Sequence, residues 1–147
     1  MPMSKTVLFL CTGNYYRSRF AEVLFNHLAT ERGLDWRADS RGLAREFGAW
    51  NVGPISPYTL EALSARQIPH PTPMRVAQHC LESDLSCADL IVAVKEAEHR
   101  PLLATHFAGW EDRVEYWHVH DLDAATPNEA MSEIERHVTA LVEMIAI

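Results

Sequence analysis

Long apolar runs are missing from this chain: no stretch approaches the roughly 18 residues of a membrane span. The start, Met1-Pro2-Met3-Ser4-Lys5, lacks the apolar stretch of a secretory leader. The expectation is a cytoplasmic protein with no membrane partner. Cysteine is scarce as well. Cys11, Cys80 and Cys87 are an odd number without zinc-finger spacing, which argues against a disulfide framework and fits a reducing compartment. Repeats and low-complexity tracts are lacking, so 147 residues suit one domain, 1–147, with one sizeable core. Positive charge is in deficit, 13 Lys and Arg against 20 Asp and Glu, and the net charge of −7 speaks against a nucleic-acid partner. The deficit is uneven. Residues 1–45 hold seven basic and four acidic residues (+3), leaving six against sixteen (−10) for the rest. Arg17, Arg19, Arg41 and Arg45 therefore stand in the one stretch able to focus an anionic substrate.

What is present is an alternation of strand and helix signals. Thr6–Leu10 is a continuous apolar run, as a strand covered on both faces requires. Phe20, Val23, Leu24, Phe25 and Leu28 recur at helical spacing, with Gly33 as a stop. Trp36–Ser40 reads as a second strand, and Ser56-Pro57 as the capped start of a helix through about Arg66. The prolines of Ile68–Pro73 make a rigid connection. Asp89–Val94 reads as a third strand followed by a helix from about Glu96, and Val114–Val119 as the fourth. Thr126-Pro127-Asn128-Glu129 is a capping box opening an amphipathic closing helix. Such alternation implies a parallel sheet with helices on both faces, binding its ligand beyond the C-terminal strand ends.

Between the first strand and the first helix lies Cys11-Thr12-Gly13-Asn14-Tyr15-Tyr16-Arg17-Ser18. A turn at that place gathers backbone N–H groups at the positive end of a helix and makes an anion site. The same field favours a thiolate on Cys11. Arg17 supplies the planar fork that matches two phosphate oxygens, which lysine lacks. Asn14 and Gly13 tolerate left-handed backbone angles, and Ser18 Oγ stands where it can donate to the sulfur or cap the helix. Asp121, just after the fourth strand, is placed by this topology in the same crevice.

In these residues the chain resembles the low-molecular-weight protein tyrosine phosphatases, and the resemblance continues through Ala21-Glu22, Ser40-Arg41-Gly42-Leu43, Trp50-Asn51-Val52-Gly53, Asp89-Leu90-Ile91-Val92 and the Asp121 loop. It implies an α/β three-layer sandwich, a four-stranded parallel sheet flanked by helices with flavodoxin-like winding. It also implies hydrolysis of phosphotyrosine proteins or small phosphomonoesters without metal or cofactor. Cys11 is then the nucleophile that forms a phosphocysteine, Arg17 the oxygen clamp, and Asp121 the general acid and later base. Thr12, Gly13, Asn14, Tyr15, Tyr16 and Ser18 line the phosphate, and Trp50 stands where relatives carry an aromatic wall.

The chain also departs from the family. Asp121-Leu122-Asp123-Ala124-Ala125 replaces an acid followed by proline and aromatics, which makes Asp123 a rival to Asp121. Tyr16 occupies the place of a second cysteine, Arg19 that of a proline at the rim, and Lys95 that of an aspartate. Three alternatives stay open: an arsenate reductase-like enzyme using Cys80 and Cys87, a module that binds phosphotyrosine without cleaving it, and a metal held by His118 and His120. The histidine pair lacks a third ligand at clear spacing, so no metal is expected.

Overall fold

The structure, a computed structural model, describes residues 4–44, 51, 53–121 and 124–147. Strand β1 (Lys5–Cys11) carries the apolar run, and its alternating side chains divide between two layers. Val7, Phe9 and Cys11 face helices α1 (Arg17–Glu31) and α5 (Pro127–Ile145), where Phe20, Phe25, Ile134 and Val138 close the core. Leu8 and Leu10 face the other way, onto Leu43, Leu85, Ile91 and Leu103. Each fully buried Leu or Phe contributes roughly 1.5–3 kcal/mol of transfer free energy, so the doubly covered strand anchors the molecule. This explains why its sequence is apolar on both faces.

The sheet is parallel throughout, in the order β2-β1-β3-β4, with β2 (Trp36–Gly42), β3 (Leu90–Ala93) and β4 (Glu115–Tyr116). Strand β2 runs two residues beyond the expected Ser40 because Arg41 and Gly42 still pair with Leu10 and Cys11. Strand β4 is shorter than the expected Val114–Val119. Its partner β3 has only four residues and gives way to α4 (Glu96–His106) almost at once, so the ladder has little to continue on. The chain nevertheless keeps beside β3, with Trp117 N–H donating to Ala93 O (2.9 Å) and Val119 N–H to Val94 O (2.7 Å). Winding reverses between β1 and β3, which opens a crevice beyond their C-terminal ends.

Helix ends follow the sequence signals. Gly33, at φ 66°, ends α1 in a left-handed turn, and Leu34 N–H reaches back to Ala29 O (2.9 Å). Helix α2 (Pro57–Ala65) is capped by Ser56, whose Oγ accepts from Tyr58 N–H (3.2 Å). At α5, Thr126 Oγ1 accepts from Glu129 N–H (3.2 Å) while the Glu129 carboxylate accepts from Thr126 N–H (2.8 Å). A short helix α3 (Glu82–Cys87) is an addition to the sequence reading; Asp84 starts it by accepting from Leu81 N–H (2.8 Å). Before it, the chain folds back on β2, with Gly42 N–H donating to Gln78 O and Cys80 N–H to Gly42 O, both at 2.8 Å. Among the described residues no helix is long and apolar enough to cross a membrane.

Candidate active site

The octet turns out of β1 into α1, and its carbonyls are engaged from outside the turn. Cys11 O accepts from Leu43 N–H, Thr12 O from Ala44 N–H and Tyr15 O from Ser56 N–H, each at 2.9 Å. Asn14 O accepts from Arg19 Nη1 (3.2 Å), and Tyr16 O from Thr59 Oγ1 (3.0 Å). In a trans peptide the N–H of the next residue points opposite to the carbonyl. The amides of Thr12, Gly13, Tyr15, Tyr16 and Arg17 are thereby turned to the inner side of the loop. Helix α1 begins there with no side-chain cap and no acidic residue in its first turn. Its positive end remains available to an anion.

Cys11 is 3% exposed, and its Sγ lies 2.9 Å from Ser18 Oγ. Asn14 sits at φ 52° and holds the turn: its Nδ2 donates to Ser18 Oγ and Ser40 Oγ, both at 2.9 Å. Its Oδ1 accepts from Arg75 Nη1 and Gln78 N–H, both at 3.0 Å. Arg75 is in turn fixed by Glu22 Oε1 (2.8 Å) and Ser40 O (3.0 Å). This side of the site is a polar network that the sequence reading lacks.

Arg17 is almost wholly buried. Nη1 donates to Val119 O (3.0 Å) and Nη2 to Glu98 Oε2 (2.7 Å), while Asp121 Oδ2 lies 3.4 Å from Nη2. Thr12 Oγ1 also donates to Glu98 Oε2. His99, fully buried, brings Nε2 to 3.2 Å from both Glu98 Oε2 and Thr12 Oγ1. Burial pushes the His99 pKa down. Burial alone would raise the Glu98 pKa, but hydrogen bonds from His99 and Arg17 outweigh it and hold the carboxyl well below the usual range. The side chain of Asp121 is 43% exposed and so reaches solvent at the mouth.

Other expectations fall out differently. Arg19, read as a charge at the rim, is 1% exposed and donates inward to Asn14 O, Pro54 O (3.0 Å) and Arg75 O (2.5 Å). Burial and neighbouring Arg75 push its pKa down to about 10. Arg41 pairs with Asp39 (2.7 Å) and Asp84 (3.4 Å). The Tyr16 ring packs into the core edge-on to Tyr58, with centroids 6.3 Å apart, while Tyr15 is half-buried against the same core. Burial, then Asp121, pushes the Tyr16 phenol up to about 12. Trp50, Arg45 and Asp123 lie outside the described residues. The rings of His118 and His120 meet edge-on at 5.3 Å, and among the described residues no three His, Cys, Asp or Glu side chains gather as a metal cluster.

Glu98, His99 and Arg75 escaped the sequence reading. A signal for the first two existed: they open the helix after β3, at the strand end where the crevice forms. Arg75 follows a proline-rich connection and gives no such signal.

Fold and loop together define a phosphate-handling α/β protein built around a cysteine and an arginine. A family model described as low molecular weight phosphotyrosine protein phosphatase matches residues 6–146. The chain belongs to this family, whose members are cysteine-dependent phosphatases. It is 32% identical over 108 residues to a protein-arginine-phosphatase of Bacillus subtilis, covering 74% of this chain and 67% of that protein. It is 31% identical over 102 residues to the human low molecular weight phosphotyrosine protein phosphatase, covering 67% of this chain and 60% of that one. The crystal structure of the low molecular weight protein tyrosine phosphatase from T. tengcongensis superposes with a TM-score of 0.79 at 27% identity, over 96% of this chain and 99% of the other. The four-stranded parallel sandwich is thus the fold of this family, and fold and relatives together support phosphatase function.

Proposed function

We propose that residues 1–147 act as one cytoplasmic phosphatase domain that hydrolyses phosphomonoesters, protein phosphotyrosine foremost, without metal or cofactor. The observation that carries this reading is the convergence of Cys11, Arg17 and Asp121 on one loop of inward-turned amides. The transfer demands positioning and charge stabilisation above all. Cys11 Sγ attacks phosphorus in line while the bond to the leaving oxygen breaks, and Asp121 gives its proton to that oxygen. The equatorial oxygens are held by the loop amides and the Arg17 fork. In the second step Asp121, now a carboxylate, takes a proton from water. The water oxygen bonds phosphorus, inorganic phosphate is released, and Cys11 departs as a thiolate that receives a hydrogen bond from Ser18.

Asp121 is preferred to Asp123 because its Oδ2 stands 3.4 Å from Arg17 Nη2, beside the place a phosphate would take. Tyr15, half-buried in the loop itself, supplies aromatic surface suited to a phenyl ring. A second reading, phosphoarginine proteins as substrate, is favoured by the protein-arginine-phosphatase among the relatives. Arsenate reduction is disfavoured because Cys80 is buried in the layer on the other face of the sheet from Cys11.

The test is turnover of para-nitrophenyl phosphate, a phosphotyrosine peptide and a phosphoarginine peptide in EDTA by wild type, Cys11→Ser and Asp121→Asn. Turnover lost in Cys11→Ser supports the cysteine mechanism, and the preferred peptide decides the substrate class. Tight peptide binding without cleavage by wild type would replace the enzyme reading with a binding module.

A further inference from the structure

We infer that Glu98, held in place by His99, is a positioning residue that orients the Arg17 guanidinium and takes the shorter of the two contacts on the Nη2 it shares with Asp121; this rests on the phosphatase reading of the site. Arg17 has five N–H donors in a rigid plane. Val119 O takes one from Nη1, and Glu98 Oε2 one from Nη2. Two fixed points on different elements, the chain after β4 and helix α4, set that plane. The remaining N–H groups are left for an oxyanion.

The single atom Glu98 Oε2 is itself fixed. It accepts from Arg17 Nη2, and Thr12 Oγ1 donates to it from the opening of the loop. His99 supplies a third donor, shared between Glu98 Oε2 and the Thr12 Oγ1 beside it, for a reason its other nitrogen settles. His99 Nδ1 accepts from Lys95 N–H (3.1 Å), so the ring proton resides on Nε2, 3.2 Å from Glu98 Oε2. Lys95 enters only through its backbone, and the carboxylate on Arg17 comes from Glu98, three residues later on the first turn of α4. The loop is thereby tied through Thr12 and Arg17 to one carboxylate oxygen.

The same Nη2 faces a second carboxylate, Asp121, at 3.4 Å. Without Glu98, Arg17 turns toward Asp121 for its missing charge. That movement turns the fork out of line with the equatorial oxygens of the transition state, while the loop amides still hold the anion. Glu98 is accordingly needed for the chemical step more than for anion binding as such.

Glu98→Met preserves side-chain length but removes the acceptor; Glu98→Gln keeps an acceptor oxygen without the charge. Steady-state turnover of para-nitrophenyl phosphate and aryl phosphates with poorer leaving groups is measured in both, with competitive inhibition by inorganic phosphate and melting temperature alongside. Glu98→Met is expected to lower kcat by about 10- to 100-fold, more for poor leaving groups, with the phosphate inhibition constant changed by less than about 3-fold. Glu98→Gln is expected to recover most of kcat. Equal turnover of Met and Gln variants overturns the inference, as does a Met variant whose phosphate binding and melting temperature collapse together. An active wild type with either result leaves the phosphatase reading standing, whereas an inactive wild type overturns both.

Discussion

Ser18 Oγ lies 2.9 Å from Cys11 Sγ and accepts from Asn14 Nδ2 at the same distance. The Asn14 amide is unambiguous in its orientation, because its Oδ1 accepts from Arg75 and Gln78. Ser18 therefore gives a lone pair to Asn14, and its own hydrogen is directed at the sulfur. Asn14 acts at one remove from Cys11 by turning a serine into a donor.

That direction matters most when sulfur leaves phosphorus. Ser18→Ala is expected to lower kcat by about 100- to 1,000-fold, the range for losing one donor to a developing anion. The phosphocysteine then accumulates. Rapid mixing with para-nitrophenyl phosphate should show a larger burst of product before a slower steady state. Unaltered kcat would remove Ser18 from the chemistry.

The Asn14–Arg75 contact joins the loop to a segment 61 residues away in sequence. Arg75→Met and Asn14→Gly, the latter chosen because glycine accepts φ 52°, each leave buried partners unmet. Each is expected to cost about 1–3 kcal/mol. The double variant should lose less than the sum, by about 0.5–3 kcal/mol. Urea unfolding of the four proteins checks this, and strict additivity would show the two residues to be independent.

Acid should weaken the fold in two stages. His99 is held below its ordinary value of 6.5, mainly by burial, so the unfolded chain takes up a proton that the folded one refuses. Its contribution is complete above about 6.5 and declines as pH falls. Glu98 is held below its ordinary 4.5, so its contribution is complete above that value and declines as pH falls further. Urea midpoints between pH 7.5 and 3 should show both losses, these pH limits following from the ordinary His and Glu values. Glu98→Gln should flatten the lower stage alone, and a wild-type-like acid limb in that variant would contradict the assignment.

Oxidation should be hard to reverse. Tyr16 stands where a second loop cysteine would resolve an oxidised Cys11, Cys80 is buried across the sheet with its thiol pushed up to about 12 by burial, and Cys87 is exposed elsewhere. Sulfenic acid on Cys11 then proceeds up the oxidation ladder. Prolonged peroxide is expected to leave activity that dithiothreitol does not restore; full recovery would reveal a resolving partner.

The octet, β1 and the start of α5 were legible because local signals decide them: a doubly apolar run, a capping box, and a cysteine and arginine at a strand-to-helix turn. The length of β4 depended on how far β3 lasts, which is not a property of its own residues. Arg19 misled for a related reason. Arginine is ordinarily a surface residue, but three carbonyls converge on this one from segments far apart in sequence. Glu98 reads as an ordinary helical charge until tertiary folding sets Arg17 against it.

The Arg17–Val119 bond closes across 102 residues of chain. A ribosome must therefore reach Val119 before the restraint on Arg17 can form. Up to that point the loop and helix α1 can exist without the contact that fixes the guanidinium, so local folding of the octet precedes its alignment.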